Sequence, residues 1–332
     1  MVQYNVQLQK FNTLNLSAIA KQFHRISDEN ELRTLFVNDI VKNDCFKVIG
    51  SGSNIWLSSK EIPVVIKLES KGINIQRSEK TTIVVAKAGE NWSCFVDLLV
   101  SENIGGLEFL SSIPGTVGAA PIQNIGAYGT EVCQYIKSVR VFDTRTYEFK
   151  TFINSECNFS YRDSLFKSSI NNSFVITEVE FEFENDYEPN IRGNELKTAM
   201  SSGNFSIKNI AKNIKNIRSI KLPNPVIEPN AGSFFKNPIL NKSELDKLIL
   251  KCENLVYYEY ETDYKISAAW IIEHAGWKGK NVDGVAMSTM HSLVLTNIST
   301  NSLTRIDYFV TSLKKDISER FGINLEVEPV FW

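Results

Sequence analysis

The chain has 332 residues, 43% hydrophobic and 22% charged, the balance of a soluble globular protein with enough length for two or three domains and a sizeable core. A formal net charge of -2 excludes a protein built to coat nucleic acid or an anionic membrane, although a local group of donors can still take a small anion. Cys45, Cys94, Cys133, Cys157 and Cys252 form no CxxC pair, which fits reduced thiols and excludes the usual zinc spacings, so no metal site is expected. Met1 to Phe23 lacks a basic head followed by an apolar stretch, and no apolar run approaches the roughly 18 residues of a membrane span. A soluble cytoplasmic protein is expected.

In chain order, Asp28 to Val41 reads as a helix, with Asp28 and Glu31 spaced as a capping box ahead of Leu32, Leu35, Phe36 and Ile40. Phe46–Ile49 and Pro63–Leu68 read as strands, as does Thr82–Ala88. Asn91 to Asn103 is an amphipathic helix through Trp92, Phe95, Val96 and Leu99, stopped by Gly105-Gly106. After an aperiodic stretch from Gly105 to Gly129, strand signals return at Ile136–Phe142, Glu148–Phe152 and Phe174–Phe183. Helical spacing then recurs at Ile207/Ile210/Ala211/Ile214/Ile217 and at Leu303/Ile306/Phe309/Val310/Leu313/Ile317, with a proline-rich loop and a strand around Leu293–Leu295 between them. Ile323 to Trp332 alternates like a strand. The pattern is α+β in three lobes: residues 1–70, joined by the terminal strand 323–332; residues 71–193; and residues 194–322.

Two glycine-bearing stretches can carry chemistry. In Gly50-Ser51-Gly52-Ser53-Asn54 a strand runs into Gly-x-Gly, where backbone N–H groups can approach a phosphate because no side chain intervenes. The third glycine of a dinucleotide fingerprint is missing, so a plain turn explains this segment equally well. The stretch from Gly105 to Gly129 is too long and too rich in glycine, proline and apolar residues for a casual or disordered connection. It reads as a tightly folded loop whose backbone donors line a ligand such as a diphosphate and a flat ring.

That second stretch resembles the flavin-binding loop of the UDP-N-acetylenolpyruvoylglucosamine reductases. So do Gly50–Asn54, Asn91-Trp92, Tyr161-Arg162-Asp163-Ser164, Lys221-Leu222-Pro223, and Asn230-Ala231-Gly232-Ser233-Phe234-Phe235-Lys236-Asn237-Pro238, in matching order over nearly the whole chain. The insertion after Phe183 resembles the longer, type I branch. The resemblance implies an α+β, three-lobed flavoprotein: a two-lobe FAD-binding domain of the vanillyl-alcohol-oxidase/PCMH-like kind and a C-terminal α+β substrate-binding domain. It implies non-covalent FAD, NADPH as hydride donor, and conversion of UDP-N-acetylglucosamine enolpyruvate to UDP-N-acetylmuramate for peptidoglycan, by a cytoplasmic monomer that engages neither nucleic acid nor membrane. FAD would be held by Gly50, Ser51, Gly52, Ser53, Asn54, Pro114, Gly115, Thr116, Gly118, Ala119, Asn124, Gly126 and Ala127.

In that family hydride passes from N5 of the reduced flavin to C3 of the substrate, and C2 then needs a proton. Arg162 suits the charge that develops on the carboxylate, since its planar fork binds bidentately and stays protonated. Ser233 is the implied proton donor. The third catalytic group is a glutamate of the final segment, where Glu328 matches best and Glu326 is the second choice. Lys221 corresponds to a diphosphate contact, Asn237 to a polar substrate contact, and Tyr128 to a residue beside the substrate. The type I loop, here Asn185 to Leu196, departs from the pattern: Gly193 stands where a tyrosine is usual, with Arg192 before it and Tyr187 six residues earlier. His291 stands where an amide side chain is expected. The competing readings are an oxidase of the same FAD-binding superfamily and a nucleotide-binding protein without turnover.

Overall fold

Phe174–Glu184 is the longest strand, and its sequence explains why. Val175, Thr177, Val179, Phe181 and Phe183 are buried, while Glu178, Glu180 and Glu182 alternate with them on the more open face. It is the middle strand of a five-stranded antiparallel sheet, in the order Glu148–Ile153, Ile136–Asp143, Phe174–Glu184, Thr81–Lys87, Ile73–Arg77. These observations come from a computed structural model that describes residues 2–41, 46–168, 173–192, 194–200, 203, 205–299 and 302–332. Cys45 and Gly193 lie outside the described residues.

A four-stranded sheet precedes it, in the order Val2–Gln7, Ile19–Ile26, Glu61–Leu68, Phe46–Ile49. Ile19–Ile26 and Phe46–Ile49 both run parallel to Glu61–Leu68. The helix Glu29–Val37 lies between two of these strands in sequence, as parallel strands require a crossover. Asp28 caps it, accepting from the N–H groups of Asn30 and Glu31, and the Glu31 carboxylate accepts the Ser27 N–H. The helix is shorter than its apolar spacing predicts: Asp39 turns into the left-handed region at φ 54°, and the Ile40 and Val41 N–H groups fold back to Leu35 O. Glu29 takes Nε and Nη2 of Arg140 at 2.9 and 3.0 Å and the Thr177 hydroxyl at 2.9 Å, so the helix start is tied to the five-stranded sheet.

Both sheets belong to one unit, Met1–Val6, Ile19–Gly52 and Glu61–Arg218. Its core runs from Leu32 and Phe36 through Phe142 to Trp92, Phe95 and Phe181. The helix Trp92–Ser101 buries Trp92, Phe95, Val96 and Leu99 and is capped by Asn91, which accepts the Cys94 N–H.

The second unit comprises Gln7–Ala18, Ser53–Lys60 and Ser219–Trp332. Its antiparallel sheet runs Asn230–Ser233, Val294–Asn297, Val285–Met287, Asn281–Val282. The helix Leu303–Phe321 buries Leu303, Ile306, Phe309, Val310, Leu313 and Ile317, the six positions its spacing picks out. A three-stranded sheet, Ile239–Leu240, Asp263–Ile266 and Tyr257–Tyr260, leads into the helix Ala268–His274. The final ten residues are not one strand. Ile323 and Leu325 are buried and Asn324 and Glu326 exposed, but pairing is confined to a bridge from Val327 to Phe235 and to Val330–Phe331 against Ile55–Trp56. Pro329 has no N–H to extend a ladder between those two contacts. None of the described helices is long and apolar enough to cross a membrane.

Asp143 closes the hairpin between Ile136–Asp143 and Glu148–Ile153, with its side chain fully buried and bonded by Arg145 and Lys150. Burial alone would raise its pKa; the hydrogen bonds from Arg145 and Lys150 outweigh it and hold the carboxyl well below its ordinary value. A depressed pKa contributes stability that is present above the unfolded value and lost as pH falls through the folded one. Asp143→Asn is therefore expected to cost roughly 1–3 kcal/mol at neutral pH, with the deficit shrinking below about pH 4. Urea midpoints measured across pH check this; a pH-independent deficit would assign the effect to packing.

Candidate active site

In the first unit the glycine-rich loop is built against the segment 88–92. Gly118 N–H donates to Ala88 O, Val117 N–H to Glu90 O, and Trp92 N–H to Gly115 O. The approach is so close that a Cβ on Gly118 would lie 2.5 Å from the Ala88 Cβ. Gly50, at the end of the strand Phe46–Ile49, meets the same loop: a Cβ there would lie 2.5 Å from Thr116 Oγ1, and Lys67 Nζ holds the Gly50 carbonyl at 2.8 Å. The Gly-x-Gly turn and the loop are thus in contact although Gly50 and Thr116 are 66 residues apart in sequence, and Gly52 adopts φ 68°.

Along this loop the N–H groups of Ser112, Ile113, Gly115 and Thr116 bond to none of the described residues. Only Pro114, which has no N–H, interrupts the run. Ser112 at φ 59° and Gly115 at φ 148° bend the backbone there. Consecutive unpaired donors on a bent, glycine-bearing backbone suit an anion such as the diphosphate of FAD, and the close approach at Gly50 and Gly118 leaves no side chain in the way. These residues fit the cofactor.

The far end of the loop is held by side chains. Asn124, fully buried at φ 44°, gives both amide hydrogens to protein, to Glu131 Oε2 at 3.0 Å and Ser160 O at 3.1 Å, and its Oδ1 accepts the Cys133 N–H. Its amide is a brace of the loop, with no donor left for a ligand. Arg162, itself at φ 56°, directs Nη2 to Gly126 O at 2.6 Å and Nη1 to Asn124 O at 3.4 Å, with Glu131 3.9 Å away. A Cβ on Gly126 would lie 2.9 Å from Arg162 Nη1, so glycine is what lets the guanidinium reach the backbone. Arg162, Asn124, Gly126 and Ala127 are therefore brought together, while Pro114, Gly115, Thr116, Gly118 and Ala119 line the earlier part of the loop.

Tyr128 and Gly129 finish the loop. The Tyr128 ring packs on the cluster of Phe109, Leu196, Met200, Ile210 and Ile214, and burial raises its hydroxyl pKa, an effect that Arg218 opposes. Arg192 covers Gly129, where a Cβ would lie 2.8 Å from its Cδ. Tyr187 is committed elsewhere: its hydroxyl donates to the buried Glu108 at 2.7 Å and its ring fills the space a side chain on Gly105 would take. Burial pushes the Glu108 carboxyl up, partly offset by hydrogen bonds from Tyr187 and the Gly106 N–H. Of the loop 185–192, Arg192 and not Tyr187 stands beside Tyr128-Gly129.

In the second unit Ser233 ends a bulged strand. Between the Asn230–Thr296 and Ser233–Val294 pairs the register shifts, Gly232 takes φ 72°, and its N–H bonds to Asn230 Oδ1. Such a bulge re-aims the side chain that follows it, and the Ser233 hydroxyl bonds to none of the described residues. Asn230 also clamps the proline-rich loop through Pro223 O and Glu228 O. Phe234 N–H donates to Leu293 O, Glu328 N–H to Phe234 O, and Lys236 N–H to Glu326 O. Glu328 is thereby paired with Phe234, the residue that follows Ser233. The two candidate glutamates differ: Glu326 is exposed and engages Lys236 Nζ at 2.5 Å, whereas Glu328 is half-buried. Asn237 accepts the Ala268 N–H at 2.9 Å, at the start of the helix Ala268–His274, and Lys221 is the exposed last residue of the helix Ile207–Lys221. His291 is half-buried, its Nδ1 accepting the Leu293 N–H. Ser53 and Asn54 belong to this unit, where Asn54 O accepts the Val330 N–H. Sequence reasoning missed Glu131 and Lys67, which sit in no recognisable motif and brace the loops only through folding.

Residues 23–146, which include the loop of backbone donors, match the family model of an FAD-binding domain, so the chain is a flavoprotein. Residues 224–332 match the model for the C-terminal domain of UDP-N-acetylenolpyruvoylglucosamine reductase. The chain belongs to the UDP-N-acetylenolpyruvoylglucosamine reductase family. It is 38% identical to the reductase of that name from Bdellovibrio bacteriovorus, covering 100% of this chain and 99% of the relative, and 37% identical to that of Flavobacterium johnsoniae, covering 98% of each. The fold is similar to the crystal structure of the Thermus caldophilus reductase, with a TM-score of 0.68 at 21% identity over 100% of this chain and 99% of that one.

Gly118→Val is expected to displace the loop from Ala88 and lower bound FAD several-fold while the far-UV circular dichroism is kept. The ratio of flavin to protein absorbance reads this, and unchanged flavin content would show that the contact is not needed for the cofactor.

Proposed function

We propose that this chain reduces the enolpyruvyl double bond of UDP-N-acetylglucosamine enolpyruvate to give UDP-N-acetylmuramate, with NADPH as the source of reducing equivalents. The observation that carries this reading is the half-buried Ser233, re-aimed by a bulge at Gly232 and joined through Phe234 to Glu328, in a chain of this family. Bound FAD supplies the hydride chemistry. The run of donors from Ser112 to Thr116, together with Gly50, Ser51 and Gly52, holds its diphosphate.

Hydride addition at C3 leaves an electron pair at C2, delocalised onto the adjacent carboxylate. Arg162 stabilises that charge with its planar fork. Its bonds to Gly126 O and Asn124 O hold the guanidinium in position before substrate arrives. Ser233 donates its hydroxyl proton to C2 and regains one from water. A hydroxyl is a weak acid, but the carbon it protonates is a strong base, so the transfer needs position more than a lowered pKa. Glu328, rather than Glu326, serves as the third catalytic carboxyl, because the Glu326 carboxylate is spent on Lys236 at the surface. Lys221, Asn237 and Tyr128 bind the sugar nucleotide; for Asn237 this falls to its amide group, since its oxygen serves Ala268.

Anaerobic reduction by NADPH followed by addition of UDP-N-acetylglucosamine enolpyruvate tests the reading directly. The flavin should bleach and then recover its absorbance with one UDP-N-acetylmuramate formed per flavin; a reduced flavin that the enolpyruvyl compound does not reoxidise would overturn it. Ser233→Ala should slow the reoxidation step by about 10²–10⁴-fold, far more than the reduction step, and Ser233→Cys should recover part of that loss. Equal slowing of both steps would make Ser233 a pocket-shaping residue.

Arg162→Lys keeps the charge and loses the fork, so single-turnover reoxidation should slow while nucleotide binding changes less. Unchanged single-turnover rates would return Arg162 to the role of loop brace alone.

A further inference from the structure

Two lysines at the exit of the strand Glu61–Leu68 each donate to a glycine carbonyl, Lys67 Nζ to Gly50 O at 2.8 Å and Lys71 Nζ to Gly89 O at 2.6 Å. Both glycines belong to segments that grip the glycine-rich loop. Gly50 lies against Thr116, and Glu90, which follows Gly89, accepts the Val117 N–H at its carbonyl. Lys71 is exposed and shares its charge with the Glu90 carboxylate at 3.3 Å. Lys67 is half-buried and differently surrounded. Burial lowers its pKa, Glu69 opposes this, and the Arg25 and Lys71 cations add to it. The Glu69 carboxylate is itself bonded by Arg25 at 2.7 Å.

A trans peptide sets its carbonyl oxygen and its N–H on opposite sides. None of the described peptide bonds is cis, so a Gly50 carbonyl drawn toward Lys67 turns the Ser51 N–H away from it. We propose that Lys67 is a positioning residue for the FAD diphosphate: it fixes the peptide that presents the Ser51 N–H and keeps a positive charge behind the Gly-x-Gly turn. The proposal rests on the reading of that turn as part of the cofactor site. Glycine is the residue least able to hold a peptide orientation by itself, so the constraint has to come from a neighbour. Gly50 touches Thr116 through its Cα and Lys67 through its carbonyl, so one side chain steadies both the turn and the end of the donor run Ser112–Thr116. Arg25 and Lys71 disfavour the Lys67 cation, and an anion seated on the turn offsets that repulsion. Partial burial strengthens the attraction, because the local dielectric is lower than that of water.

The test uses the full chain and its Lys67→Met and Lys67→Arg variants, freed of flavin and titrated with FAD while the flavin fluorescence is followed. ADP, which carries a diphosphate without the flavin ring, is the competitor. Lys67→Met should weaken FAD and ADP alike, by about tenfold or more, the usual size for a hydrogen bond to a charged group. Lys67→Arg should recover most of both losses, since a guanidinium keeps the charge and can donate to the same carbonyl. Without flavin, Lys67→Met should melt close to the parent protein. Unchanged FAD affinity in Lys67→Met, a loss of FAD without a loss of ADP, or equal losses in the two variants would overturn the assignment. If the parent chain takes up neither FAD nor ADP, the cofactor reading falls, and this assignment falls with it.

Discussion

The backbone of the glycine-rich loop must be held in one shape while its own N–H groups stay unpaired, and this constraint organises the first unit. Ordinarily such a loop would satisfy its donors by folding into turns. Here the bracing comes from outside the donor run: Asn124 spends its whole amide on Glu131, Ser160 and Cys133, and Arg162 binds the carbonyls of Asn124 and Gly126. The residues from Ser112 to Thr116 are thereby left with donors for a ligand. Those residues are only partly buried, so their donors stay accessible to a bound anion.

The same economy of space explains the glycines. At Gly118 and Gly126 the neighbour is a backbone or a guanidinium that cannot retreat, and at Gly50 it is the Thr116 side chain of the loop itself. Each glycine marks a contact between segments distant in sequence, so their spacing along the chain has no period. In the second unit the corresponding device is a bulge. Gly232 at positive φ shifts the register between Asn230 and Ser233, which re-aims the Ser233 side chain while its backbone stays paired with Val294.

Polar groups buried in the first unit fall into two kinds. Glu108 with Tyr187 and the Gly106 N–H, and Asp143 with Arg145 and Lys150, are paired and serve the fold. Arg218 is half-buried, and its Nε has no hydrogen-bond partner among the described residues.

Local pattern by itself determined the elements whose energetics are local or periodic. The alternation in Phe174–Glu184 and the six buried positions of the helix Leu303–Phe321 are written in residue spacing, as are the caps at Asp28 and Asn91. The glycine-rich loop was legible as a binding loop from its composition, and the family from its motifs. What only the tertiary structure decided depends on partners far away in the chain. The apolar alternation of residues 323–332 predicts a strand, yet Pro329 and two separate partners divide it. Glu326 and Glu328 look alike in sequence, and only the position of Lys236 tells them apart. Asn124 reads as a ligand contact until the three protein partners of its side chain are seen. Burial and hydrogen-bond satisfaction are properties of the folded neighbourhood, and no window of sequence contains that neighbourhood.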